Sequence, residues 1–172
     1  MNRICLRSIG IDNKVENNST YAGFGGIYVR RGNLARAVEF MEKAAQLNPS
    51  NLENIDNLAT AYLQLGRPDE AQRVLQAILV QNPGHAGAHN VFGILEIQRS
   101  RPEQAGKQFE QAIASNPDLA EPYMNLGLLA QNAGQAQVAA NYYREFLKRA
   151  SSDKHGAYIP KVKEALKELE RR

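Results

Sequence analysis

The sequence predicts an all-α protein, a solenoid of helix–turn–helix repeats, and three observations carry that expectation. Prolines recur in the triplets LNP, QNP and SNP, which place Pro49, Pro83 and Pro117 34 residues apart. Small residues keep the same period: Ala37, Ala71, Ala105 and Ala139 form one series, and Gly25, Ala59, Gly93 and Gly127 another. Just before the second series stand Phe24, Leu58, Phe92 and Leu126, always large and apolar. Self-similarity at a fixed period of a few tens of residues marks a chain built from stacked copies of one supersecondary unit. The composition, with 43% hydrophobic and 23% charged residues, is that of an ordinary globular protein.

Each unit can be read position by position. The first, from Asn18, places Tyr21, Phe24, Gly25, Tyr28, Ala37, Met41, Ala44 and Pro49 at positions 4, 7, 8, 11, 20, 24, 27 and 32. The same positions in the second, from Leu52, hold Ile55, Leu58, Ala59, Tyr62, Ala71, Leu75, Ile78 and Pro83. The third, from Ala86, has His89, Phe92, Gly93, Glu96, Ala105, Phe109, Ala112 and Pro117. The fourth, from Ala120, has Tyr123, Leu126, Gly127, Ala130, Ala139, Tyr143, Phe146 and Ser151. This pattern resembles the tetratricopeptide repeat (TPR). The resemblance implies a right-handed, elongated α-solenoid with four units at 18–51, 52–85, 86–119 and 120–153.

The residue types have mechanical reasons. A small residue at position 8 facing the alanine at position 20 lets the two helices of a unit close to roughly 8–10 Å. Position 15 (Gly32, Gly66, Ser100, Gly134) is a helix C-cap, where φ is often positive. Pro68 and Pro102 sit in a first helical turn, where proline costs little. Residues 154–172 read as a capping helix, with Ile159, Val162, Leu166 and Leu169 on one face and Lys and Glu elsewhere. Residues 1–17 fit no preceding unit and read as an irregular or disordered leader, or as the edge of a larger parent chain.

One stretch competes with this scheme. YAGFGGIYVRRGN, residues 21–33, crowds Gly23, Gly25 and Gly26 together in the manner of a phosphate-binding loop. A dinucleotide fingerprint would need a third glycine where Tyr28 stands, no strand-like run precedes it, and no Gly-Lys-Ser/Thr occurs. The register instead makes it the first helix of the first unit. Gly25 is the small residue the crossing needs, while Gly23 and Gly26 each weaken the helix by about 1 kcal/mol relative to alanine.

Other chemistry is thinly represented. Net charge is +3, with residues 144–172 contributing 9 Lys/Arg against 5 Asp/Glu. The basic excess therefore belongs to the tail, not to a stripe suited to nucleic acid. No apolar run reaches the roughly 18 residues of a membrane span, and the N-terminus does not read as a secretory signal, which favours the cytoplasm. Cys5 is the single cysteine and nothing activates it. His85 and His89 are four apart, but His85 lies in the Pro83-Gly84 turn and His89 occupies the packing position 4. His155 reads as a solvated residue of a polar linker. No metal, cofactor or catalytic constellation is expected, and the chain reads as a non-enzyme.

What remains is binding. The resemblance implies that the first helices line a concave groove through positions 2, 5, 6, 9, 12 and 13. Those positions supply Asn57, Thr60 and Gln64 in the second unit. The third gives Asn90, Val91, Ile94 and Ile97, and the fourth Met124, Asn125 and Leu128. Of the family's clamp for a C-terminal carboxylate, only Asn57 survives, beside Ala22, Gly26, Gly87 and Val91, so that ligand is not expected. Asparagine can donate and accept at once, which suits a peptide backbone. Val91, Ile94 and Ile97, with Leu63, Met124 and Leu128, read as exposed aliphatics awaiting a cover. The expected function is a scaffold or adaptor that binds a peptide or protein segment in this groove. The alternative is an oligomerisation or recruitment module at the end of a larger, for instance bacterial, multidomain protein, which leaves self-association open.

Overall fold

In the computed structural model, residues 17–171 are described, and among them every regular element is a helix. In chain order these are α1 (Asn18–Arg30), α2 (Leu34–Leu47), α3 (Leu52–Gln64), α4 (Pro68–Gln81) and α5 (Ala86–Gln98). They continue as α6 (Pro102–Ser115), α7 (Glu121–Asn132), α8 (Ala136–Arg149), the single turn α9 (Ser152–His155) and α10 (Ile159–Glu170). The all-α expectation holds. The expected leader 1–17 lies outside the described residues except for Asn17, which serves as the N-cap of α1, its side chain accepting from the Thr20 N–H at 2.9 Å.

The turn chemistry repeats. After α1, α3, α5 and α7 the chain turns through a left-handed residue, with φ of 71° at Gly32, 74° at Gly66, 59° at Ser100 and 74° at Gly134. In each turn the next N–H reaches back five residues: Asn33 to the Tyr28 carbonyl, Arg67 to Tyr62, Arg101 to Glu96 and Gln135 to Ala130, all at 2.9 Å. That is the Schellman closure, which satisfies carbonyls a helix end leaves without partners. Asparagine side chains begin several helices: Asn33 accepts from the Arg36 N–H and Asn51 from the Asn54 N–H.

Two compact units divide within α4, the first ending at Ala71 and the second beginning at Gln72. In the first, α1 packs on α2 and α2 on α3. Phe40 is its aromatic centre, with Tyr28 stacked at 5.3 Å, Phe24 at 5.4 Å and Tyr21 at 6.1 Å between ring centroids. Amides fasten the three helices. Asn18 Nδ2 donates to the Ala44 carbonyl at 2.7 Å, and Asn54 Nδ2 donates to Asn18 Oδ1 at 3.0 Å.

In the second unit α5 packs on α6, α6 on α7, α7 on α8, and α10 on α8. One cluster joins Ala105, Phe109 and Leu126, with Ile94, Ile113, Leu129 and Tyr142 around it. Another joins Ala120, Tyr123, Tyr143, Phe146 and Val162, and Ile159, Ala165 and Leu169 of α10 pack against it. The apolar face of α10 therefore covers α8.

The helix crossing differs from the expectation in one respect. The small residue at position 8 meets chiefly the side chain at position 24 of the next helix. A Cβ on Gly25 would lie 2.6 Å from Met41 Cγ, with the Ala37 carbonyl oxygen farther off at 3.5 Å. On Gly127 it would lie 2.5 Å from the Tyr143 ring, and on Gly93 it would overlap the Phe109 ring. Gly23 has open space, and Gly26 only the end of Arg30 at 3.7 Å.

These contrasts fix the expected effect of alanine. Gly93→Ala should lower stability by about 1–3 kcal/mol through overpacking against Phe109, whereas Gly23→Ala should raise it by about 1 kcal/mol. Urea unfolding of the two variants checks both signs. Two glycines without a packing role also make α1 the weakest helix of its unit. Amide exchange across 21–30 should run faster than across 55–64, and equal protection of the two helices would refute this.

Candidate functional site

The residues expected to form the binding face lie on α3 in the first unit and on α5 and α7 in the second. On α3, Asn57 and Gln64 are exposed, and the half-buried Thr60 turns its hydroxyl back to the Asp56 carbonyl at 2.9 Å. On α5 and α7, Asn125 Nδ2 donates to Asn90 Oδ1 at 2.9 Å, so these two amides are a bonded pair. Asn90 is only 9% exposed. Part of the hydrogen-bonding capacity expected for a peptide is therefore spent inside the protein.

The aliphatic residues divide similarly. Ile97 is 41% exposed and Leu128 is 52% exposed. Ile94 and Met124 are half-buried and pack against the two clusters of the second unit. Val91, expected to be exposed, is 5% exposed, and Leu63 is buried as well. Their positions on the repeat read as groove, but the packed chain covers them. The reachable apolar surface on α5 and α7 is thus Ile97 and Leu128, backed by Ile94, Met124 and the amide of Asn125.

His155 is a correction. Expected in solvent, it is 6% exposed. Its Nδ1 accepts the Ser151 N–H at 3.0 Å, its Nε2 lies 3.1 Å from Glu121 Oε1, and its ring meets Phe146 edge-on at 5.7 Å. An acceptor Nδ1 places the ring proton on Nε2, which donates to the carboxylate. The imidazole joins the start of α7 to the link between α8 and α10. Its signal was present in the sequence: Glu121 and His155 are one repeat period apart.

His89 is packed as expected, with Nδ1 2.8 Å from Gln108 Oε1 and Nε2 2.8 Å from the Pro83 carbonyl. Both ring nitrogens thus have partners within the protein. Among the described residues, no three His, Cys, Asp or Glu side chains come together as metal ligands.

Several other polar contacts escaped the sequence reading because they depend on which helices meet. Glu96, at the position where the first two repeats carry tyrosine, is buried between Arg99 at 3.7 Å and Arg101 at 3.5 Å. Arg149 lies 4.2 Å from the Tyr123 ring centre, donates to the Pro117 carbonyl at 2.6 Å and pairs with Glu145 at 2.6 Å. The Glu145 carboxyl is held below the usual range by hydrogen bonds from Lys148 and Arg149. The Tyr62 hydroxyl donates to Glu42 at 2.6 Å, and burial with that carboxylate pushes its pKa up to about 12.

Sequence patterns of the tetratricopeptide repeat family match residues 28–91 and 91–155. The chain belongs to the tetratricopeptide repeat family. As a TPR protein it falls among repeat scaffolds for protein–protein interaction. Over 64 residues it is 36% identical to the BBSome complex member BBS4 of Bos taurus, a match covering 37% of this chain and 12% of that protein. Its fold is similar to that of TTC0263, a thermophilic TPR protein of Thermus thermophilus. That likeness has a TM-score of 0.72 and 23% identity over 88% of this chain and 80% of the other. It is also similar to YrrB, described as a TPR protein with an unusual peptide-binding site. Here the TM-score is 0.53, with 22% identity over 77% of this chain and 68% of that one. Among the described residues no helix is long and apolar enough to cross a membrane.

The raised pKa of Tyr62 carries a pH prediction. Neutral tyrosine is favoured in the folded chain, so its contribution is complete below about pH 10, the unfolded value, and is lost as pH rises through about 12. The stability difference between the wild type and Tyr62→Phe should therefore be constant from pH 7 to 9 and shrink from 10 to 12. Urea titrations across that range measure it, and a difference that stays flat would contradict the assignment.

Proposed function

We propose that this TPR chain is a non-catalytic scaffold that holds a peptide or protein segment against the first-helix face of its repeats. We take its organisation to be four units, at 18–51, 52–85, 86–119 and 120–153, closed by a cap at 154–172. The observation that carries the reading is the pair of exposed aliphatics, Ile97 on α5 and Leu128 on α7. Both fall at groove positions of the family, and each follows, on its own helix, one member of the bonded Asn90–Asn125 pair. Apolar side chains with an amide beside them suit an extended or helical segment that presents a hydrophobic side. The similarity to YrrB adds support from a TPR protein whose site takes peptide.

A second reading follows from the match to BBS4. This chain spans 12% of that protein, which is named as a member of a complex. On that reading the array recruits or joins subunits within a larger assembly. The two readings differ in whether the occupant is a short segment or a folded neighbour.

Display of a random peptide library against the full chain separates the outcomes. Clones that bind the wild type should lose at least tenfold in affinity for the double variant Ile97→Glu, Leu128→Glu, because each substitution places a charge where apolar contact is made. Because both side chains are exposed, the variant should keep wild-type helicity by circular dichroism. Clones that bind the variant as well as the wild type would sink the proposal.

A further inference from the structure

The second unit contains a small cavity of about 70 Å³ lined by Gln131, Gly134, Ala136, Glu168 and Leu169. It lies where the turn between α7 and α8 meets the last part of α10. Its lining is divided in chemistry. Leu169 and Ala136 offer apolar walls, while Gln131 and Glu168 offer an amide and a carboxylate.

Two features give it a negative character. Glu168 makes no ion pair among the described residues, whereas Glu170 on the same helix is paired with Arg144 at 2.6 Å. The Gln131 amide is fixed by the Tyr143 hydroxyl, which donates to its Oε1 at 2.6 Å and leaves that oxygen a second lone pair.

A ligand that matches both walls has an apolar stem and a cationic head, and is small enough for the volume. Lysine and arginine side chains have that form, with methylenes that lie along apolar surface and a head that carries the charge. We propose that the cavity takes one lysine or arginine side chain from the segment bound by this protein. The proposal deepens the peptide-binding reading and rests on it, since Gln131 follows the exposed Leu128 by one helical turn. It gives the partner a chemistry: an apolar contact with Leu128 beside a basic residue at the cavity.

The experiment is a titration of the isotope-labelled full chain followed by amide chemical shifts. The probes are N-acetyl-lysine N-methylamide, its arginine counterpart and its norleucine counterpart. The two basic probes should move the Gly134, Ala136 and Glu168 amides in a saturable way, and the uncharged norleucine probe should not. Glu168→Gln should weaken the basic probes at least threefold. Glu168 is exposed, so this variant is expected to fold, which an unchanged spectrum elsewhere verifies. Equal response to lysine and norleucine, or to the wild type and Glu168→Gln, would overturn the cation pocket. The double variant Ile97→Glu, Leu128→Glu leaves the cavity intact, so probe binding there persists even if the groove reading fails. Replacing lysine or arginine by norleucine in the library-selected peptides tests the partner's part. Affinity unchanged by that replacement would overturn it.

Discussion

The helix pairs α1–α2, α5–α6 and α7–α8 depend on one steric allowance between their two helices. A ring or a long thioether at position 24 is driven against the partner helix, and only a residue without a side chain leaves room for it. Gly25 receives Met41, Gly93 receives Phe109 and Gly127 receives Tyr143. Close helix approach and burial of a large apolar group are achieved in one contact. Phe109 is 1% exposed and Tyr143 3% exposed as a result. The alanines at position 20 lie nearby and are fully covered, so they close the space that the ring leaves.

That constraint also explains which parts of the structure were legible in the sequence. Steric requirements repeat with the period of the unit, so Gly93 and Phe109 announce themselves by their register before any contact is known. The left-handed residues were equally legible, and Ser100 shows that register outranks residue type: it adopts φ of 59° although it is not glycine. The close approach itself was only partly legible. Periodicity identified positions 8 and 20 as small, but the main neighbour of position 8 proved to be position 24, one helical turn farther on.

Polar contacts were the least legible, and the reason is physical. A buried amide or imidazole is satisfied by whichever group geometry brings to it, and that group can be on any neighbouring helix. Asn90 and Asn125 look like two independent groove residues in sequence, yet they satisfy one another. His155 looked solvated because Ser151, Ser152, Asp153 and Lys154 precede it, yet it turns inward to Glu121 and Phe146. Val91 misled for a related reason: a groove position on one helix is a packing position wherever the next element stands close.

The same packing accounts for the shifted titratable groups. Strongly shifted titratable groups gather at active sites, so each shift requires a cause. Here the causes are burial and contacts within and between helices. Tyr62 is raised by burial and by Glu42 on the preceding helix, and Glu145 is lowered by Lys148 and Arg149 on its own. Arg149 is raised chiefly by Glu145 while it stacks on Tyr123, and Tyr143 is raised by burial beside Gly127. Each of these shifts therefore has a cause in burial or in a contact within the fold. Glu168 is the contrasting case: an exposed carboxylate at a cavity, without an ion-pair partner among the described residues. A carboxylate beside an apolar wall can meet a cationic head and its methylene stem together, which a carboxylate already paired cannot do.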